Sequence, residues 1–183
     1  MTTKRFRVTM VEFLTKQAWS GQQGHAAFTK LAPMLATQNE AIIELDMKGV
    51  ERLDASCSRE ALANLIERFR GKKWFFLSHL ANQTVQENID MALHKSEMSI
   101  IARRADGSYE VLGLALKDHL VETLEVIEAK GEATSRAVCA AIKGLALTAC
   151  NNRLKDLSDA GLVARLEGAA ESGGKEFSYM ALR

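Results

Sequence analysis

Between Thr148 and Lys155 the stretch TACNNRLK gathers a hydroxyl, two amides, a guanidinium and an ammonium. An asparagine amide can donate to and accept from the edge of adenine at once, and arginine or lysine can reach guanine or a backbone phosphate. Arg165 and Lys175 supply cations further along the chain. Thr148, Asn151, Asn152, Arg153, Lys155, Arg165 and Lys175 are therefore the candidates for contact with double-stranded DNA. The plainer alternative is a solvated helix face.

Elsewhere the chemistry is thinner. Ser56 and Ser58 sit in the run DASCSRE, where a phosphate could face a helix N-terminus or a hydroxyl could simply cap it with help from Glu60. Capping is the expectation. Gly21-x-x-Gly24 ahead of a helix could offer amides to an anion, yet it matches neither a phosphate-binding loop nor a dinucleotide fingerprint. A plain turn and helix start are expected there. Trp74-Phe75-Phe76 could stack on bases if exposed, but an apolar run of this kind reads as a buried strand. Asp46, Asp54 and His79 are the polar groups left to test for catalysis, and no nucleophile, base and orienting group can be assembled from local spacing. No enzyme is expected. Cys57, Cys139 and Cys150 are odd in number and widely spaced, and four histidines show no ligand spacing with them. Reduced core thiols are expected, with no metal and no cofactor.

The elements that would position the candidate residues follow from periodicity. LALKDHLVETLEVIEAKG places Leu116, Leu120, Leu124 and Ile127 on one face, and Gly131 ends it. A second helix is predicted over Ser135–Ile142, a turn at Lys143-Gly144, and a third helix over about 148–160. In that helix Cys150, Leu154 and Leu157 form the buried stripe. Leu162–Glu167 and Glu176–Leu182 read as two strands around the tip GAAESGG.

The stretch LTACNNRLKDLSDAGLVARLEGAAESGGKEFSYMAL resembles the winged helix-turn-helix regulators of the MarR and ArsR kind. The resemblance implies a recognition helix in the major groove, with Thr148 capping it and meeting a phosphate, Asn151 and Asn152 toward base edges, and a wing against the backbone. A homodimer is expected, since a second copy would double the contacts.

Residues 1–113 alternate strand and helix periods. Strands are predicted over Arg5–Phe13, Ala41–Leu45, around Val50–Leu53, and over Trp74–Leu77. A hairpin is predicted from Met98–Ala102 and Tyr109–Leu112 over Asp106-Gly107. Helices are predicted over Gln22–Gln38, with Pro33 expected to kink or end it, over Ser56–Arg70 and over Thr84–His94. The fold class is α/β with a sheet covered by helices, joined to a mainly helical second domain over 114–183.

AIIELDMKGVERLDASCSREALANLIERFRGKKWFFLS resembles STAS and STAS-like domains, in which an apolar strand ends in Asp and a Ser-rich loop opens a helix. SGQQGHAAFTKL is similar to the first helix of the STAS-like group. In antagonists of anti-sigma factors the residue after the loop Asp is a phosphorylated Ser; here it is Ala55. The resemblance implies a domain for partner binding, sensing or dimerisation. The rival expectation is a protein-interaction adaptor, for example in an anti-sigma-factor pathway, whose winged helix does not bind DNA.

Charge qualifies the DNA reading. The whole chain carries +1, but residues 118–183 hold 8 Lys/Arg against 10 Asp/Glu, a net −2. Counterion release from Lys and Arg supplies most nonspecific DNA affinity, so few contacts must carry it. No apolar run is long enough to span a bilayer, and the start of the chain lacks a signal-peptide pattern. No membrane partner is expected, and the cytoplasm is the expected location.

Overall fold

The computed structural model describes residues 5–169 and 175–183, with Ala169 and Lys175 described by backbone only. It is a mixed α/β structure in two compact units, one over Met1–Ala115 and one over Leu116–Leu182.

In the first unit, alternating apolar residues build β1 (Arg5–Thr9), β3 (Ile42–Asp46), β5 (Trp74–Ser78), β6 (Ser99–Arg103) and β7 (Tyr109–Gly113). They lie in the order β1-β3-β5-β6-β7, the first four parallel and β7 antiparallel to β6. Each parallel strand adds beside the previous one. Right-handed connections that always advance the same way put their helices on one face. The core forms there, with Val8, Ile43, Leu45, Phe75, Leu77 and Ile100 in one cluster with Leu31, Leu35, Leu62, Leu65, Ile89 and Leu93. Those last six come from α2 (Gly21–Ala36), from a π-helical turn (Arg59–Ala63) leading into α4 (Asn64–Arg68), and from α5 (Gln83–Lys95). α3 (Ala55–Ser58) precedes the π turn. The strand order never reverses direction, so the sheet has no switch-point crevice of the kind that binds ligands in doubly wound folds.

Several local expectations change. The strand predicted over Arg5–Phe13 stops at Thr9, because Met10 turns into the αR region and Val11–Leu14 forms a single helical turn, α1. Pro33 does not end α2, which runs on to Ala36; its missing N–H forgoes one bond near the helix end. Gly24 is a packing glycine. A Cβ there would lie 2.4 Å from the carbonyl oxygen of Cys57, so Gly24 lets α2 approach α3. β2 (Gln17–Ala18) and β4 (Arg52–Leu53) form a small parallel pair.

The second unit runs α6 (Asp118–Lys130), β8 (Glu132–Thr134), α7 (Ser135–Ala141), α8 (Leu147–Asp159), β9 (Val163–Ala169) and β10 (Lys175–Ala181). Gly144, with φ +77°, makes the turn between α7 and α8 in a conformation that side chains resist. β9 and β10 pair antiparallel, and β8, which no sequence pattern marks, joins the free edge of β10. α8 packs against α6, α7 and β9. It buries Cys150, Leu154 and Leu157 completely, each leucine contributing about 1.5–3 kcal/mol of burial. The predicted strand tip falls partly on residues 170–174, outside the described residues.

Candidate nucleic-acid interface

The buried stripe of α8 dictates what the rest of the helix presents. With Cys150, Leu154, Leu157 and Ser158 inward, the helical period turns Thr148, Asn151, Asn152 and Lys155 to solvent. The side chains of Asn151 and Asn152 make no hydrogen bond among the described residues, so both side-chain amides are uncommitted. Lys155 is exposed and its Nζ donates to Asp159 at 2.8 Å, one turn along the helix.

Two candidate residues do something else. Thr148 does not cap α8. Ala146 occupies the cap position, in extended backbone and with no side-chain acceptor, and Thr148 lies inside the first turn. Arg153 is withdrawn from the open face. Its position borders the buried stripe on the side of α6, where its Nη1 lies 2.9 Å from Glu122 Oε2 and donates to the carbonyl of His119 at 3.3 Å. Its side chain is 22% exposed against 54% for Glu122, so it serves as a tie between two helices.

The remaining face of α8 forms one wall of a groove of about 400 Å³. Leu147, Asn151, Asn152 and Lys155 line it from α8, Ser135 and Arg136 from α7, Arg165 from β9, and Glu176, Phe177 and Tyr179 from β10. The hairpin register sets its far wall: Arg165 lies opposite Tyr179, and Glu167 opposite Phe177. The guanidinium carbon of Arg165 lies 3.7 Å from the centroid of the Phe177 ring. The side chain of Lys175 lies outside the described residues. Arg136, Phe177 and Tyr179 were not among the sequence candidates. Only the alternation of Phe177 and Tyr179 in β10 could have pointed to them.

α6 carries Asp118, Glu122, Glu125 and Glu128 against Lys130, while the groove brings together Arg136, Lys155 and Arg165 against Glu176, with Asp156 and Asp159 on α8 beside Lys155. Uncommitted amides beside cations can contact base edges and phosphates.

The first unit holds the other candidates. Asp54 caps α3, its Oδ1 accepting from the Cys57 amide at 2.6 Å, so the expectation that Ser56 or Ser58 caps is corrected. The Ser56 hydroxyl donates to Asp54 Oδ1 at the surface, and that of Ser58 to the Asp54 carbonyl in the interior. Asp54 is already in extended backbone one residue before the helix, which is why it wins the cap. Asp46 and His79 do meet, Nδ1 to Oδ1 at 2.9 Å. The Ser78 hydroxyl donates to Glu44 at 2.7 Å in the interior. Donor atoms of Glu44, Asp46 and His79 lie within 4.8 Å of one another. Arg7 pairs with both carboxylates and Arg5 with Glu44, which balances the acids; a cation would have to displace these guanidiniums.

Burial opposes ionisation of Glu44, but hydrogen bonds from Arg7 and Ser78 with the charges of Arg5 and Arg7 outweigh it and hold the carboxyl below its ordinary range. Asp46 behaves alike: burial is outweighed by the Lys48 amide, His79 and Arg7. Cys57 is fully buried, and burial pushes its thiol up to about 12. It is an inert core thiol.

No family model matches the chain, and no curated protein or solved structure is similar to it. Among the described residues no helix is long and apolar enough to cross a membrane.

Proposed function

We propose that the protein is a DNA-binding regulator whose second unit is a winged helix-turn-helix, with α8 as recognition helix and the β9–β10 hairpin as wing. The observation that carries the reading is the groove: two uncommitted asparagines on the open face of α8, flanked by Arg136, Lys155 and Arg165. The order helix, strand, helix, turn, helix, hairpin supports it, as does the excess of cations over carboxylates lining the groove. On this reading the first unit is a STAS-like domain for sensing, partner binding or dimerisation. Its strand order and the Asp54-capped helix of the DASCS segment fit that resemblance. A homodimer would present two copies of α8 to a palindromic site.

A salt titration tests the proposal. Binding of the full chain to mixed-sequence duplex should weaken steeply as salt rises, in proportion to the phosphates neutralised. Failure to retard any duplex at about 50 mM salt would favour the adaptor, in which the second unit is a platform for protein.

A further inference from the structure

Arg165 differs from every other cation of the groove in how it is held. It reaches Phe177 diagonally across the hairpin, since its direct partner is Tyr179. A guanidinium carbon 3.7 Å from a ring centroid puts the charged group in direct contact with the aromatic face. Its Nε is buried and has no acceptor, and Arg165 makes no ion pair among the described residues. Buried arginine nitrogens ordinarily find a carboxylate or carbonyl, so this one lacks the acceptor that its burial calls for. Arg136 likewise makes no ion pair among the described residues. Asp159 keeps the Lys155 ammonium charged, while Arg165 is near enough to work against it. Glu176 is the single carboxylate lining the groove among the described residues.

We infer that this groove is a seat for a phosphate-type oxyanion, gripped by Arg165 with Lys155 and Arg136, and that Phe177 is the positioning residue that orients Arg165. The inference rests on the DNA reading for its ligand, a backbone phosphate; a free phosphate would be held by the same chemistry. The planar fork of arginine matches two phosphate oxygens, and stacking fixes its rotamer before the ligand arrives, so less freedom is lost on binding. Lysine would supply the charge without the fork or the stack.

The test uses the full chain, mixed-sequence duplex and inorganic phosphate. Arg165→Ala should weaken duplex binding roughly tenfold, alike for all sequences, and lower the salt slope by about one. Arg165→Lys should recover the slope but not the affinity. Phe177→Leu should lose affinity several-fold in the presence of Arg165 and nothing further in the Arg165→Ala background, whereas a merely structural role would give the same loss in both. Phe177→Tyr should restore binding, and serves where the leucine variant fails to fold. Wild-type binding with unchanged affinity and slope in Arg165→Ala would overturn the seat and leave the DNA reading standing. If wild type binds no duplex, the seat is judged by phosphate alone. A rise in Tm with phosphate over chloride at matched ionic strength, lost in Arg165→Ala, supports it; no such rise overturns it.

Discussion

Arg153 Nη1 lies 2.9 Å from Glu122 Oε2 and also donates to the carbonyl of His119, so this cation joins α8 to α6. Because Glu122 is more than half exposed, solvent screens the pair. Arg153→Ala should therefore lower stability by only about 1 kcal/mol. Duplex affinity per folded molecule should stay within about twofold. Urea denaturation and anisotropy on the same samples check both, and a tenfold loss of DNA affinity would return Arg153 to the interface.

The missing cap of α8 offers a second test. Ala146 has the extended backbone of an N-cap, φ −70° and ψ 145°, but no acceptor for the first amides. Ala146→Ser and Ala146→Asp should each stabilise the unit by about 1 kcal/mol. Asp adds a negative charge beside the helix end that would face phosphate, so it should also weaken duplex binding where Ser does not. Thermal unfolding paired with a binding isotherm reads the two effects separately.

Acid should find the first unit at Glu44 and Asp46. Both carboxyls titrate below their unfolded values, so their contribution is complete above the ordinary carboxylate range, near about pH 4, and is lost as pH falls through the lower folded values. Glu44→Gln removes the charge that Arg5 and Arg7 neutralise and should cost about 1.5–3 kcal/mol at neutral pH. The discount from a fully buried pair reflects guanidiniums that are 44% and 49% exposed. Urea midpoints measured from neutral to acid pH should converge for wild type and variant as pH falls through the lowered folded value of Glu44.

Gly24→Ala should destabilise by about 2 kcal/mol, because the added methyl meets the backbone of Cys57, which has no soft rotamer to yield. Gly21→Ala places its Cβ 3.4 Å from the flexible Glu60 side chain and should stay within about 0.5 kcal/mol of wild type. Equal losses at both positions would contradict the packing role of Gly24.

Patterned burial was readable from the chain, and partner choice was not. Cys150, Leu154 and Leu157 announce their face because a helix repeats every 3.6 residues. Arg153 sits at the border of that face, and its direction depends on α6 lying alongside. The Arg165–Phe177 stack requires the hairpin register, which is set by pairing between strands. Glu44 looks like an ordinary polar residue of a short apolar strand; only the lateral arrival of β1 supplies Arg5 and Arg7. β8 is three residues long with no alternation to detect, and the π turn at Arg59–Ala63 leaves no local trace. Capping failed as an expectation at Ser56 and Thr148 for one reason. The residue already in extended backbone takes the cap, and sequence alone offered several nearby hydroxyls.

The most direct test of the central claim is selection of bound fragments from a random duplex pool, run with wild type and with an Asn151→Ala, Asn152→Ala double variant. Wild type should enrich a defined site, two-fold symmetric if the protein binds as a dimer, and the variant should lose that preference while keeping part of its nonspecific affinity. Each lost base contact should weaken binding by about 1–3 kcal/mol. Absence of any enriched site with wild type, or recovery of the same site at equal strength by the variant, would contradict a recognition role for α8.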